Sequence, residues 1–184
     1  MGKKRKRKKR SIATDVKAIY QRGMQLYLEE ENYIAALKYF FRAAKAGYKK
    51  AYGEIGIILY REKNETDKAE VWFRKAEKAN SLFPVAAYEY GMLFYLKKGD
   101  IKTSLKYLLQ SAKQGCELAY GQIGIILYLE KNKINEAVEW FKKAQESNGL
   151  FAPAAYYYGV LLIEERGDIE RGNRYLDKAA EDGY

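Results

Sequence analysis

Small and bulky apolar residues recur along the chain at helical spacing, in five blocks of similar length. Each block has a glycine near the middle of its predicted first helix, called the central glycine below. Thirteen residues later comes a small residue, then a bulky apolar residue four positions on and another small residue three further. Such i, i+4 and i+7 positions share one face of an α-helix, where small side chains let a partner helix approach closely. Each block therefore predicts two packed helices. The glycines are Gly23, Gly56, Gly91, Gly124 and Gly159; the faces are Ala36, Phe40 and Ala43; Ala69, Phe73 and Ala76; Ser104, Leu108 and Ser111; Ala137, Phe141 and Ala144; and Gly172, Leu176 and Ala179.

The blocks repeat with two alternating lengths. The central glycines are spaced 33, 35, 33 and 35 residues apart, and AYGEIGIILY from Ala51 returns as AYGQIGIILY from Ala119, 68 residues later. Polar turns, EEEN, REKNET, LKKGD, LEKNK and EERGD, separate the two helices of each block. They are rich in the Asn, Gly and Asp residues that end and begin helices. A period of this length predicts a solenoid, in which each repeat buries its apolar face against its neighbours.

The segment 11–184 resembles the tetratricopeptide and Sel1-like repeat superfamily. Repeats one, three and five end in the Sel1 manner, in RAAKAGYKKAYGEIG, SAKQGCELAYGQIG and KAAEDGY. Repeats two and four resemble tetratricopeptide units, with longer connections that carry the two prolines, NSLFPVAAYEYG and SNGLFAPAAYYYG. The resemblance implies an all-α, right-handed α-solenoid of about five antiparallel helix pairs. The units are expected at approximately 12–47, 48–80, 83–115, 116–148 and 151–184.

The resemblance also implies that the first helices line a concave side where ligands lie. Positions three before, one after and four after each central glycine are expected to face it, with tyrosine alternating with Gly53 and Gly121 in the first row. Tyrosine offers a large flat ring with a polar tip, which suits protein recognition. One interpretation is an apolar, tyrosine-rich groove for a peptide or helix of a partner; the other is that the same side chains only fill the core. The candidate groove residues are Tyr20, Met24, Tyr27, Ile57, Tyr60, Tyr88, Met92, Tyr95, Ile125, Tyr128 and Tyr156.

Composition places the chain among globular proteins. It has 184 residues, of which 48% are hydrophobic and 15% aromatic, enough for a sizeable core. No apolar run reaches the ~18 residues of a transmembrane helix, and the charged start lacks the apolar stretch of a signal peptide. These features predict a cytoplasmic protein, or a nuclear one if the source is eukaryotic.

The net charge of +10 comes mainly from one end of the chain. Outside residues 3–10 there are 26 basic and 24 acidic residues. Eight successive like charges without a hydrophobic residue predict a disordered tail at 1–10. The tail fits a nucleic-acid arm, a tether to an anionic membrane surface, a nuclear localisation signal, or a solubilising segment with no partner of its own. The candidate polyanion-binding residues are Lys3, Lys4, Arg5, Lys6, Arg7, Lys8, Lys9 and Arg10.

Residues suited to catalysis are scarce. The chain has no histidine and a single cysteine, Cys116, and its G-x-x-G sequences lie within predicted helices rather than in a phosphate-binding loop. We therefore predict a binding protein, not an enzyme, with no cofactor and no metal. The expected partner is another protein. The alternative is a nucleic-acid-associated protein that contacts phosphates through residues 3–10, and the last repeat, which lacks a capping helix, also suggests self-association.

Overall fold

The fold consists of helix pairs. A computed structural model describes the backbone at residues 2–130 and 132–184 and the side chains at 15–130 and 132–184. The predicted basic tail falls on residues 1–10, whose side chains lie outside the described residues. Within the described part there are ten α-helices and no strand. They are α1 (Gly2–Leu28), α2 (Tyr33–Lys45), α3 (Ala51–Arg61), α4 (Thr66–Lys78), α5 (Pro84–Leu93, continued by a π-helical turn, Phe94–Lys98), α6 (Ile101–Lys113), α7 (Glu117–Leu129), α8 (Ile134–Glu146), α9 (Ala152–Arg166) and α10 (Ile169–Glu181).

The backbone divides into two compact units, Met1–Ala86 and Ala87–Tyr184. In the first unit α1 packs on α2 and α3 on α4, and α2 also contacts α3. In the second unit α6 contacts the π-helical turn and α7, while α7 packs on α8 and α9 on α10. The prediction of an all-α repeat fold built from five helix pairs is confirmed.

The second helix of every repeat is the constant part of the structure. Each of α2, α4, α6, α8 and α10 has 13 residues. A residue with left-handed backbone conformation comes two positions before each of them, and another follows 16 residues after the first. The variable part is the connector together with the first helix, and its length produces the alternating 33- and 35-residue spacing. The left-handed residues are Glu31, Asn64, Gly99, Asn132 and Gly167 within the pairs, and Gly47, Asn80, Gly115, Asn148 and Gly183 after them.

The central glycines allow the two helices of a pair to touch. A Cβ added at Gly56 would lie 2.7 Å from the ring of Phe73, and one at Gly124 would lie 2.7 Å from the ring of Phe141. Both phenylalanines are 0% exposed, and burying such a side chain stabilises the fold by ~2–3 kcal/mol. The small and bulky residues of the predicted pattern are therefore the ones that form the contact between the two helices of a pair.

Candidate functional site

In the first unit, tyrosines of α1 are hydrogen-bonded to one carboxylate in α3 and one just after it. The Tyr20 hydroxyl donates to Glu54 Oε1 at 2.8 Å, and the Tyr27 hydroxyl donates to Glu62 Oε1 at 3.2 Å. Tyr20 and Tyr27 lie seven residues apart, on the same face of α1. Two successive first helices are thus linked through their tyrosine side chains.

The second unit repeats this link twice. The Tyr95 hydroxyl donates to Glu130 Oε1, just after α7, and the Tyr128 hydroxyl of α7 donates to Glu164 Oε2 of α9, both at 3.2 Å. Like Tyr27, each donor stands four residues after a central glycine, and each acceptor follows the next central glycine by five or six residues. The Tyr27, Tyr95 and Tyr128 bonds are therefore one repeated feature. We call the half-buried tyrosines that make it, together with Tyr20, the tyrosine row.

Burial and the neighbouring carboxylates keep these hydroxyls protonated. Burial, with the Glu130 hydrogen bond and charge adding to it, raises the pKa of Tyr95 to about 12. Burial followed by the Glu62 charge raises the pKa of Tyr27, and burial followed by the Glu164 hydrogen bond raises that of Tyr128. The hydroxyls are neutral donors around pH 7, so the bonds to the carboxylates persist there.

Glu54 is the buried member of the carboxylate set. It is 6% exposed, and burial raises its pKa, while the Tyr20 hydrogen bond and the charge of Lys50 act in the opposite direction. In the echoed stretch of the second unit the same position is Gln122, also 6% exposed. An uncharged side chain is thus compatible with this position.

The predicted groove residues fall into three groups by exposure. Ile57, Tyr60 and Ile125 are buried, at 3%, 8% and 5% exposure, and belong to the hydrophobic core. Tyr156 is 38% exposed. The remaining candidates are half-buried: Tyr20, Met24, Tyr27, Tyr88, Met92, Tyr95 and Tyr128.

Gly53 and Gly121 differ from the prediction that their row faces a groove. A Cβ at Gly53 would lie 2.4 Å from the ring of Phe83, and one at Gly121 would lie 2.9 Å from the ring of Phe151. Both phenylalanines belong to the longer connectors. The alternation of tyrosine and glycine therefore follows the alternation of connectors: glycine occurs where the next connector places a ring against the helix.

Three tyrosines cluster in the second unit near its C-terminal end. The ring of Tyr156 lies 5.3 Å from that of Tyr157 and 5.0 Å from that of Tyr184, measured between centroids. A hydrogen bond with Tyr184, more than burial, raises the pKa of Tyr157. Tyr157 and Tyr184 are not among the predicted groove residues. The run of tyrosines at 156–158 could have indicated an aromatic cluster from the sequence alone. Tyr184 is distant along the chain and joins the cluster only in the folded structure.

The family model that matches this sequence is the Sel1 repeat, at residues 16–48, 54–81, 84–116, 117–148 and 150–184. The protein belongs to the Sel1 repeat family. The match includes the second and fourth repeats, which resemble tetratricopeptide units at their ends. A comparison of this Sel1 repeat protein with curated proteins finds no match.

Solved structures support the same fold. A Sel1 repeat protein from Oxalobacter formigenes is 20% identical with a TM-score of 0.68, over 95% of this chain and 76% of the other. Pseudomonas aeruginosa pilF is 20% identical with a TM-score of 0.77, over 95% and 79%. YrrB, described as a TPR protein with an unusual peptide-binding site, is 23% identical with a TM-score of 0.65, over 90% and 84%.

The described residues of this Sel1 repeat protein offer no metal-binding cluster. They contain no group of three or more histidine, cysteine, aspartate or glutamate side chains placed to hold a metal ion. In the same part of the chain, no helix is both long and apolar enough to cross a membrane.

Proposed function

We propose that this Sel1 repeat protein is a non-catalytic scaffold that binds a peptide or helix of a partner protein through the tyrosines of the row, in each unit by itself. The observation that carries the proposal is the repeated bond from tyrosine to carboxylate between successive first helices. The same register in three repeats holds three half-buried rings in equivalent positions, which favours a shared role beyond core filling.

The bonds favour binding because they restrict the rings before a partner arrives. A tyrosine immobilised on binding costs ~0.5–1.5 kcal/mol in lost rotamer freedom, and a ring already held in place avoids much of that cost. Since the hydroxyls are engaged, a partner meets the half-buried ring faces and the adjacent exposed carboxylates Glu62, Glu130 and Glu164. That surface suits a segment with apolar and basic side chains, which can make cation–π contacts with tyrosine.

The test is quantitative affinity capture with the full chain and two double variants. Tyr27→Ala with Tyr128→Ala removes two members of the tyrosine row. Tyr52→Ala with Tyr120→Ala is the matched control, because these tyrosines also lie on first helices but their rings contact Trp72 and Trp140, at centroid distances of 5.8 and 5.9 Å.

We expect the first variant to lose its partners by at least about tenfold, as truncation of interface aromatics typically does, while the control retains them. Circular dichroism melting of both variants separates binding from folding. Retention of the same partners by the Tyr27/Tyr128 variant, or losses that follow melting temperature in both variants, would mean that these rings are only structural.

In this proposal the basic tail adds electrostatic attraction or acts as a targeting signal. The side chains of the tail lie outside the described residues. If all eight charges contact phosphates, the slope of log affinity against log salt is about −7 for duplex DNA. Deleting residues 3–10 should then abolish that slope and leave capture of protein partners unchanged. Loss of the partners with the tail, and on nuclease treatment, would instead assign recognition to nucleic acid.

A further inference from the structure

A basic cavity lies in the second unit between α8 and α10. Its volume is about 440 Å³, the size of a small-molecule site. The lining residues are Lys142 and Gln145 of α8, Tyr158 of α9, and Arg171, Arg174, Tyr175 and Lys178 of α10. Four of these seven side chains are cations, and none is a carboxylate.

The cations are held near the cavity by weak surface ion pairs. Lys142 pairs with Glu139 at 3.1 Å, Arg171 with Asp168 at 2.9 Å and Arg174 with Glu170 at 3.7 Å. The three cationic side chains are 51–67% exposed, and such pairs contribute only ~0–1 kcal/mol each. An anion in the cavity can therefore replace the carboxylates as the partner of these cations at a small cost in free energy.

The inner wall of the cavity is rigid and polar. Tyr158 is 2% exposed, and its ring is stacked on Phe141 at 5.1 Å and packed on Tyr175 at 4.7 Å, between centroids. The Tyr175 hydroxyl donates to Gln145 Oε1 at 2.5 Å, which joins the two helices across the cavity. Guanidinium groups next to the fixed amide NH2 of Gln145 form a donor set suited to a tetrahedral oxyanion.

The equivalent cavity in the first unit is largely apolar. The cavity between α2 and α4, about 310 Å³, is lined largely by apolar side chains, among them Phe41, Val71 and Trp72. Val71 and Trp72 occupy the places that Arg174 and Tyr175 occupy in α10. Stacking of second helices thus creates a hollow in both units. The first-unit cavity has two lysines, Lys63 and Lys68, beside Glu65, whereas the second-unit cavity has four cations and no carboxylate in its lining. The repeat architecture alone does not account for the charge.

We propose that this basic cavity binds a phosphate monoester carried by a side chain of a partner protein. A compact dianion fits better than an extended polyanion, because Glu139, Asp168 and Glu170 surround the cations and repel phosphates beyond the cavity. Two arginines can each grip a phosphate through paired N–H groups. This surface is separate from the tyrosine row, so the inference does not rest on the proposed function.

The test is an NMR titration of the full chain, read at the Tyr158 and Tyr175 rings so that binding to the basic tail does not register. The probes, at constant ionic strength, are inorganic phosphate, phenyl phosphate, a phosphoserine pentapeptide, its unphosphorylated form and a single-stranded oligonucleotide. We expect saturable shifts with the phosphate monoesters and the phosphopeptide, and none with the unphosphorylated peptide.

Paired variants make the test specific. Arg171→Gln with Arg174→Gln should weaken phosphopeptide binding about tenfold or more, since hydrogen bonds from guanidinium to phosphate are stronger than those between neutral groups. Lys68→Gln with Lys75→Gln removes two charges from α4, at places equivalent to Arg171 and Lys178, and should leave binding unchanged.

Three results would overturn the proposal. The first is the absence of saturable ring shifts with any phosphate probe. The second is equal weakening in both variants, which means general electrostatics. The third is binding of phenyl phosphate or the oligonucleotide but not of the phosphopeptide, which would assign the cavity to a small phosphate ester or to nucleic acid rather than to a protein side chain.

Discussion

Replacing Gly124 by alanine tests the helix contact on which every repeat depends. In an unconstrained helix the change stabilises by about 1 kcal/mol, because glycine loses more backbone entropy on folding than alanine. Here the added Cβ would lie 2.7 Å from the Phe141 ring, so the ring must move by about 0.7 Å to reach an ordinary contact of 3.4 Å. Phe141 is 0% exposed, so any movement of its ring takes place within the core.

Two opposing effects set the magnitude. Overpacking a filled core costs ~1–3 kcal/mol, and the upper part of that range applies because the Cβ would approach three atoms of the ring at 2.7, 2.8 and 3.1 Å. Subtracting the gain in helix propensity leaves a net destabilisation of about 1–2 kcal/mol. For a chain of this size the melting temperature should fall by roughly 2–8 °C.

Fluorescence of Trp140 can follow this change in the second unit alone. Trp72 and Trp140 are the two tryptophans of the chain, so Gly124→Ala is measured in a Trp72→Phe background by urea unfolding. Adding Phe141→Leu should recover stability relative to the sum of the two single changes, by about 1 kcal/mol, because the pair is in direct contact. Stabilisation by Gly124→Ala, or strict additivity of the two changes, would show that the added Cβ does not press on the Phe141 ring.

Three further predictions concern single side chains. The Ser104 hydroxyl is buried and has no hydrogen-bond partner among the described residues, so Ser104→Ala should raise the free energy of unfolding by about 1 kcal/mol; Ser111→Ala, at an equally buried serine that does not lack a partner, should give no such gain in the same urea experiment. Glu31 has φ of 48°, where a residue with a Cβ is strained by ~1 kcal/mol, so Glu31→Gly should raise the melting temperature and Glu31→Ala should not. The raised pKa of Tyr95 means that the folded state holds this proton more tightly than the unfolded state, so its contribution to stability is complete below pH 10 and is lost as pH rises through 10 to about 12; a Tyr95→Phe variant that declined as steeply as the parent over that range would contradict this.

The sequence predicted the fold well because each repeat carries the same contact. Gly56 against Phe73 and Gly124 against Phe141 are visible as a fixed spacing between a glycine and a bulky residue. This spacing can be recognised within one repeat without knowledge of the rest of the chain, because each repeat mainly contacts its neighbours.

Burial of the candidate site residues was harder to predict. Tyr60 and Tyr128 end the same echoed stretch, yet Tyr60 is 8% exposed and Tyr128 is half-buried. Their local sequences are nearly identical, so the difference comes from residues distant along the chain. The basic cavity was missed for a similar reason, because Lys142 and Arg174 come from separate repeats; the spacing of Arg171, Arg174 and Lys178 along one helical face was the only local signal.

The structure separates two surfaces of opposite charge on different helices of the same repeats. The tyrosine row lies on first helices beside exposed carboxylates, and the basic cavity lies between second helices of the second unit. A partner segment with apolar and basic residues suits the first surface, while a phosphorylated side chain suits the second. Because the two surfaces share α9, through Glu164 and Tyr158, one partner protein can reach both only if its basic segment and its phosphate are far enough apart to lie on different faces of that helix. A partner that meets this condition binds both surfaces at once, and its affinity then exceeds that of either contact alone.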